Sequence, residues 1–474
     1  MENKSNSFNN LSLSSRALKG VADLGFEEPT AIQTKCIPIL IKGIDLIGQS
    51  QTGSGKTAAF VLPMLDKIDF SNKIIQGLIL CPTRELCLQV VSEIKKLGRS
   101  FNGLQVASII GGVPGRDQAQ ILENGVHIIV ATPGRLSDHI NRSQVNLQSI
   151  KYVVLDEADK LLEMGFENEV KHIMKSLPKK RQTVFFSATI HETIQNLSHK
   201  YQSNPVFIEV ENSLTNKVMI KEYLYQIDRA NDSTNFLQNK INTLIRILHQ
   251  HSKGSTLIFC NQKSTVSEIE ESLSKNDVNC AILSGDLEQR ERDRVITLYK
   301  NGSIRILIAT DIAARGLDIE QIGLVINFDL PNQAETYIHR IGRTGRAGKE
   351  GLAVSIMNSN EEIKIVMIEK FTGRTMIRDK LGFKNQHGLS SSFQFAKMQT
   401  LHISGGKKDR LRPTDLLGAL TAQPDAISAS DIGKIDIQDR FSFVAITSEL
   451  VNRASDKLRN SRIKGSKFKI KIVK

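Results

Sequence analysis

The sequence predicts an α/β protein with two parallel-sheet domains in tandem, followed by a small α+β domain. Three observations predict it. Short runs that are apolar at every position alternate with helical patterns from about residue 40 to 208, and again from about 255. Such runs form strands buried on both faces, and their alternation with helices makes parallel βαβ units. Beyond residue 398 the pattern changes to β-α-β-β-α-β, and 474 residues are too many for one core.

In chain order, the first set of buried strands is expected at 44–47, 77–80, 126–130, 153–155 and 184–186. A polar stretch at 211–220 reads as a linker. The second set is expected at 256–259, 281–283, 304–308, 324–326 and 352–356. The first domain is therefore placed at 1–210 and the second at 221–372. A Ser- and Gln-rich stretch, 385–394, falls in a second linker at 373–397. The last block, 398–474, reads as strand 400–403, helix 413–420, strands 432–437 and 441–446, helix 448–458 and strand 468–473. That is the order of an RNA recognition motif (RRM) fold. Arg440-Phe441-Ser442-Phe443-Val444 loosely echoes the RNP1 pattern of that fold, with Ser where Gly or Ala would sit. Phe441 and Phe443 alternate, so both belong on one sheet face, either stacking on bases or packing in the core.

Composition narrows the partners. The formal charge is +13 and the pI about 9.4, which favours a polyanion such as nucleic acid. The last block carries 15 Lys and Arg against 8 Asp and Glu, a net +7. Over half of the excess charge therefore sits in a small fraction of the chain. The five cysteines show no metal-binding spacing and are expected as free core thiols in a reducing compartment. The first ten residues are polar, so no secretory signal is expected, and no segment reaches the length of a membrane span.

Two stretches carry chemistry. Ser50-Gln51-Thr52-Gly53-Ser54-Gly55-Lys56-Thr57 follows the first apolar run. Glycines there let backbone N–H groups face phosphate oxygens, and the following helix adds its positive end. Lys56 would reach the β- and γ-phosphates and Thr57 would ligate Mg²⁺. Ser50 stands where the usual pattern has Gly. Asp156-Glu157-Ala158-Asp159 follows another strand, where Asp156 would hold Mg²⁺, partly through water, and Glu157 would activate the attacking water. The chemistry is phosphoryl transfer from a nucleoside triphosphate to water.

Further motifs stand in a fixed order: GFEEPTAIQ at 25–33, PTREL at 82–86, Gly111-Gly112, TPGR at 132–135, SAT at 187–189, ATDIAARGLD at 309–318 and HRIGRTGR at 339–346. With the phosphate loop and the D-E-A-D stretch, this set resembles the DEAD-box ATP-dependent RNA helicases over about residues 8–348. The resemblance implies two RecA-like domains. It implies that Gln33 reads the adenine edge and that Phe8 stacks on adenine, a hydrophobic plug being the alternative for Phe8. It gives the ribose to Asp318 and the arginine fingers to Arg343 and Arg346. Ser187, Thr189, Asp159 and His339 would couple the nucleotide to the RNA groove. Thr83, Arg84, Gly112, Thr132, Gly134, Arg135 and Thr310 would face RNA phosphates and 2′-hydroxyls.

The last block resembles the C-terminal domain of one bacterial branch of that family, on ISGGKK at 403–408 and RPTDLLGALT at 412–421. This implies binding to a 23S rRNA hairpin, a cytoplasmic place in large-subunit (50S) assembly, and a monomer. Lys407, Lys408, Arg410, Arg440, Lys464 and Lys467 are its candidate RNA contacts. An ATP-gated RNA clamp and a cold-shock or RNA-decay helicase of loose preference are the alternatives.

Overall fold

The computed structural model describes residues 7–50, 54–210, 220–227, 233–252, 254–276, 278–314, 322–345, 350–379 and 397–473. Their contacts gather into two compact units that divide near residue 215.

The first unit is built on strands β1 (Leu46–Gln49), β2 (Gly77–Leu80), β3 (Val106–Ile109), β4 (Ile128–Ala131), β5 (Tyr152–Leu155), β6 (Gln182–Ser187) and β7 (Val206–Glu209). They pair in the order β3-β4-β2-β5-β6-β1-β7, and every pair is parallel. The central strands serve two cores at once. Ile79, Val130, Val154 and Phe186 join the apolar cluster on one face, and Leu78, Ile129, Val153 and Phe185 join the cluster on the other. Each such side chain contributes roughly 1.5–3 kcal/mol on burial. That double burial is what the uninterrupted apolar runs encode. The carboxyl ends of β1 and β5 lead straight into the phosphate loop and the acidic cluster, and β6 ends on Ser187.

The second unit repeats the plan. Strands β8 (Ile220–Ile227), β9 (Thr256–Cys260), β10 (Cys280–Leu283), β11 (Ile306–Thr310), β12 (Leu324–Asn327), β13 (Gly351–Asn358) and β14 (Ile377–Asp379) form a parallel sheet in the order β10-β11-β9-β12-β13-β8-β14. Two boundaries are corrected. β8 begins at Ile220, inside the expected first linker, and β14 lies inside the stretch expected as the second linker, so this domain runs at least to Asp379. β14 has one apolar residue, Ile377, and that residue is exposed, so no apolar run announces it.

The last block forms an antiparallel sheet from β15 (Met398–Ile403), β16 (Ile432–Ile437), β17 (Ser442–Thr447) and β18 (Ile470–Val473), in the order β16-β17-β15-β18. Leu401, Ile403, Val444 and Ile446 pack with Leu416, Leu420, Val451 and Leu458 from the two helices, Pro413–Thr421 and Val451–Asn460. Phe441 and Phe443 do not join that core. They gather with His402 on the opposite face, with ring centroids 5.3–5.5 Å apart. Thr400 lies on the same face and is fully buried. Its hydroxyl is 2.7 Å from Ser303 Oγ and accepts from Asn301 Nδ2 at 3.4 Å. Both partners follow helix Gln289–Lys300 of the second α/β domain, so the small domain is docked there through its helix-free face.

All five cysteines are free, four of them buried. No helix among the described residues is long and apolar enough to cross a membrane.

Candidate nucleotide and RNA site

The nucleotide half of the site stands on the ends of β1 and β5. Gly55 adopts φ +89°, and a Cβ there would meet Gln33 Nε2 at 2.6 Å, so only glycine fits. Gln33 sits in the first turn of helix Ala31–Ile41. Its Oε1 accepts from Thr30 N at 2.9 Å and its Nε2 donates to the Gly55 carbonyl at 3.1 Å. The glutamine thus fastens its own helix to the phosphate loop. Lys56 starts helix Lys56–Lys67, is 7 % exposed, and donates to the Ser50 carbonyl at 3.0 Å. Ser50 Oγ and Ser54 Oγ lie 2.5 Å apart. Thr57 is half-buried in the first helical turn. Gln51, Thr52 and Gly53 lie outside the described residues. Phe8 is buried in the first apolar cluster with Leu11 and Cys36, the hydrophobic plug that burial alone explains.

The acidic cluster is held from behind. Asp156 is 3 % exposed, and burial pushes its carboxyl up to about 6, with Lys56 pulling it down and Glu157 pushing it up. A buried carboxylate with so little compensation suits a cation. Among the described residues no group of three or more His, Cys, Asp or Glu could hold a metal by itself. A cation beside Asp156 would therefore need oxygens from nucleotide, Thr57 and water, the coordination Mg²⁺ prefers. Glu157 caps helix Ala158–Glu163 in the left-handed region, at φ +52°. A non-glycine residue held there stores strain. Asp159 is the connector. Its Oδ2 accepts from Ala188 N and Thr189 N, both at 3.2 Å, and from Thr189 Oγ1 at 3.1 Å. Its own N–H donates to Ser187 Oγ at 3.2 Å, which in turn donates to the Thr189 carbonyl at 2.7 Å.

The motifs of the first unit expected to face RNA converge beyond β2, β3 and β4. Thr83 caps helix Arg84–Leu97, accepting from Leu86 N at 3.2 Å. Arg84 lies over Gly112, occupying the space a Cβ would need, and Gly112 is at φ +71°. Arg135 donates to the Val113 carbonyl at 3.1 Å from helix Pro133–Asn141, which also contains Gly134 and is preceded by Thr132. Two arginines from separate motifs are thus aimed at one glycine-rich turn.

In the second unit, Thr310 ends β11 and is nearly buried. His339 belongs to helix Ala334–Ile341, and Arg343 follows it by two residues; both are half-buried. Asp318 and Arg346 lie outside the described residues. Sequence reasoning missed Arg340, which is 1 % exposed and bound to Asp311, Asn261 and Asn327. The signal was in HRIGRTGR, but its three arginines cannot be told apart by spacing.

In the small domain, the turn at Lys407–Asp409 docks on the β16–β17 connection: Lys407 N donates to the Gln438 carbonyl at 2.8 Å and Lys408 N to the Asp439 carbonyl at 2.9 Å. Arg440 is exposed in that connection. Lys464 Nζ donates to the Arg410 carbonyl at 2.8 Å and lies 3.1 Å from Asp415 Oδ2. The structure therefore gathers Lys407, Lys408, Arg410, Arg440 and Lys464 at one end of the domain. Lys464 is engaged in holding loops together, while Lys467 nearby is exposed.

Comparison with known proteins agrees with this geometry. Residues 30–197 match the DEAD/DEAH box helicase model, 239–348 the helicase conserved C-terminal domain, and 400–472 the DbpA RNA binding domain. The chain is 38 % identical to the ATP-dependent RNA helicase DbpA of Escherichia coli K12 over 458 residues, covering 96 % of this chain and 97 % of that one. It is 36 % identical to the Bacillus subtilis 168 protein of the same name, covering 98 % of each. Saccharomyces cerevisiae Dbp5 bound to RNA and ADP BeF3 superimposes with a TM-score of 0.69 at 32 % identity, over 80 % of this chain and 96 % of that one. Two RecA-like sheets, the motif residues at their strand ends and a DbpA-type tail make this chain a member of the DEAD-box ATP-dependent RNA helicases, of the DbpA type.

Proposed function

We propose that the protein couples ATP hydrolysis to local, non-processive unwinding of RNA, and that its last domain targets a 23S rRNA hairpin during large-subunit assembly in the bacterial cytoplasm. The observation that carries the targeting is the gathering of Lys407, Lys408, Arg410 and Arg440 at one end of a domain of the DbpA type. Phosphate contacts from such a cluster supply affinity, and an anchored core then acts on a neighbouring helix at high local concentration.

On this reading Lys56 and the loop amides hold the phosphates, and Thr57 and Asp156 would hold Mg²⁺, which supplies charge neutralisation on the transferring phosphoryl group. Glu157 orients the attacking water and takes its proton. Gln33 serves the adenine edge, and the buried Phe8 serves as the hydrophobic plug beside Leu11 and Cys36. Arg343 and Arg346, with Asp318 on the ribose, come from the second domain, so hydrolysis requires closure. Asp159 and His339 relay closure to the RNA-facing residues through Ser187 and Thr189.

The test compares ATPase stimulation of the full chain by 23S rRNA fragments and by unrelated RNA of equal length. Preferential stimulation by one ribosomal fragment is expected. Equal stimulation would favour a general RNA helicase, and RNA held with ATP or a non-hydrolysable analogue but no duplex released with either would favour a clamp.

A further inference from the structure

We propose that Arg340 is a positioning residue that locks the RNA-facing end of β11 to the helix carrying the arginine finger. The inference rests on the proposed roles of Thr310 and Arg343.

Arg340 looks like a third finger in the sequence, but its donors are spent. A guanidinium has five N–H groups. Nε donates to Asp311 Oδ1 and Nη2 to Asp311 Oδ2, each at 2.7 Å, a bidentate fork. The second Nη2 hydrogen goes to Asn261 Oδ1 at 2.8 Å. Nη1 donates to the Asp329 carbonyl at 2.6 Å and to Asn327 Oδ1 at 3.3 Å. Five donors meet five acceptors, and the Phe259 ring lies below, 5.1 Å from the guanidinium carbon. Nothing is left for a phosphate.

The acceptors are themselves oriented. Asn261 N donates to Asp329 Oδ2 at 3.0 Å, and Asn261 Nδ2 to the Leu330 carbonyl at 2.9 Å. Lys240 Nζ holds Asp329 Oδ1 at 2.7 Å, and Asn327 Nδ2 donates to Ser355 Oγ at 3.1 Å. The socket is therefore built by the ends of β9 and β12 and by a lysine from helix Ser233–His251. Asp311 is the residue after Thr310, and Arg340 lies three residues before Arg343 on or beside one helix. A shift of β11's end, where RNA would press, must move Asp311, then Arg340, then the finger. Lysine cannot replace this arginine, because its three donors leave two of the five acceptors unfilled.

The experiment uses the full chain with variants Arg340→Lys, Asp311→Asn, Tyr337→Phe and Arg343→Lys. Tyr337 is buried on the same helix and binds Glu222 at 2.8 Å, outside the socket, so Tyr337→Phe reports helix destabilisation alone. At saturating RNA and ATP, Arg340→Lys is expected to lower kcat at least about tenfold, as for a misplaced catalytic group. ATP affinity should stay within about twofold, a kcat effect without a binding effect. Asp311→Asn keeps the shape of the site and should do the same even if Arg340→Lys fails to fold. The double variant should be little slower than either single one. The proposal is overturned if Arg340→Lys is no slower than Tyr337→Phe, if Asp311→Asn turns over at the wild-type rate, or if the double variant shows the product of both losses. Arg343→Lys separates the two readings. Wild-type turnover in that variant removes the finger role, whereas a slow Arg343→Lys beside a fast Arg340→Lys removes only the positioning role.

Discussion

At the scale of the residue, burial decides which groups can do chemistry. Burial penalises the charged form of Asp156, and the strained Glu157 beside it is held ready at a helix start. Replacing Glu157 by Gln keeps the shape and removes the base. Turnover should fall about 10²–10⁴-fold, the usual worth of a positioned general base, with ATP binding retained; single-turnover hydrolysis and equilibrium binding check both. Buried histidines give a second prediction. Burial holds His127 and His139 below their ordinary value of 6.5. Each uses one ring nitrogen, with Gln105 N and Gln144 respectively, while the other nitrogen has no partner among the described residues. A histidine with a depressed folded-state pKa stabilises fully above the unfolded value and loses that contribution as pH falls through and below 6.5. Thermal unfolding followed from pH 8 to 5 should therefore show the melting temperature falling mainly below 6.5. Replacing His139 by Gln should flatten part of that fall.

At the scale of the element, legibility followed burial. Strands apolar on both faces, such as β2, β4, β5, β9 and β12, were read from their runs almost to the residue. Those not anticipated were β3, β7, β8 and β14, which are sheet edges or the neighbour of one. β3 and β7 alternate between inward and outward residues, and their polar positions break the run. The β-α-β-β-α-β tail was readable because each of its elements has one buried face. The motif residues were legible, but Arg340's socket was not: it draws Asn261, Asn327 and Asp329 from the ends of β9 and β12. Gly112 shows how a loop element can be tested. It needs φ +71° and yields its missing Cβ space to Arg84. Gly112→Ala should strain the turn and displace that guanidinium. RNA affinity should fall by several-fold, on the order of 1–2 kcal/mol for one lost charge-assisted contact, while ATP affinity is unchanged. Filter binding with and without nucleotide reads both.

At the scale of the whole molecule, the question is whether the small domain is a separate anchor or part of the core's fold. It has its own apolar core, and so do both α/β domains. Its contact with the second of them includes hydroxyl and amide groups, Thr400 with Ser303 and Asn301. Deleting 398–474 therefore exposes groups that water can satisfy, and the core should stay folded. ATP affinity of the truncated chain should remain within about twofold, because the nucleotide residues lie elsewhere. Its preference for 23S fragments should vanish; a truncated chain that still prefers them would defeat the anchoring role. Salt gives an independent reading of the same anchor. Lys407, Lys408, Arg410, Arg440 and Lys467 are five cations at or near one end of the domain. If each neutralises one phosphate, log affinity should fall with log salt at a slope of about −3.5, or roughly 10²-fold between 50 and 200 mM. A flat response would instead give the binding to bases stacked on aromatic rings. The docked aromatic face makes that the weaker expectation, since Phe443 is only 6 % exposed and Thr400 beside it is already covered by the core.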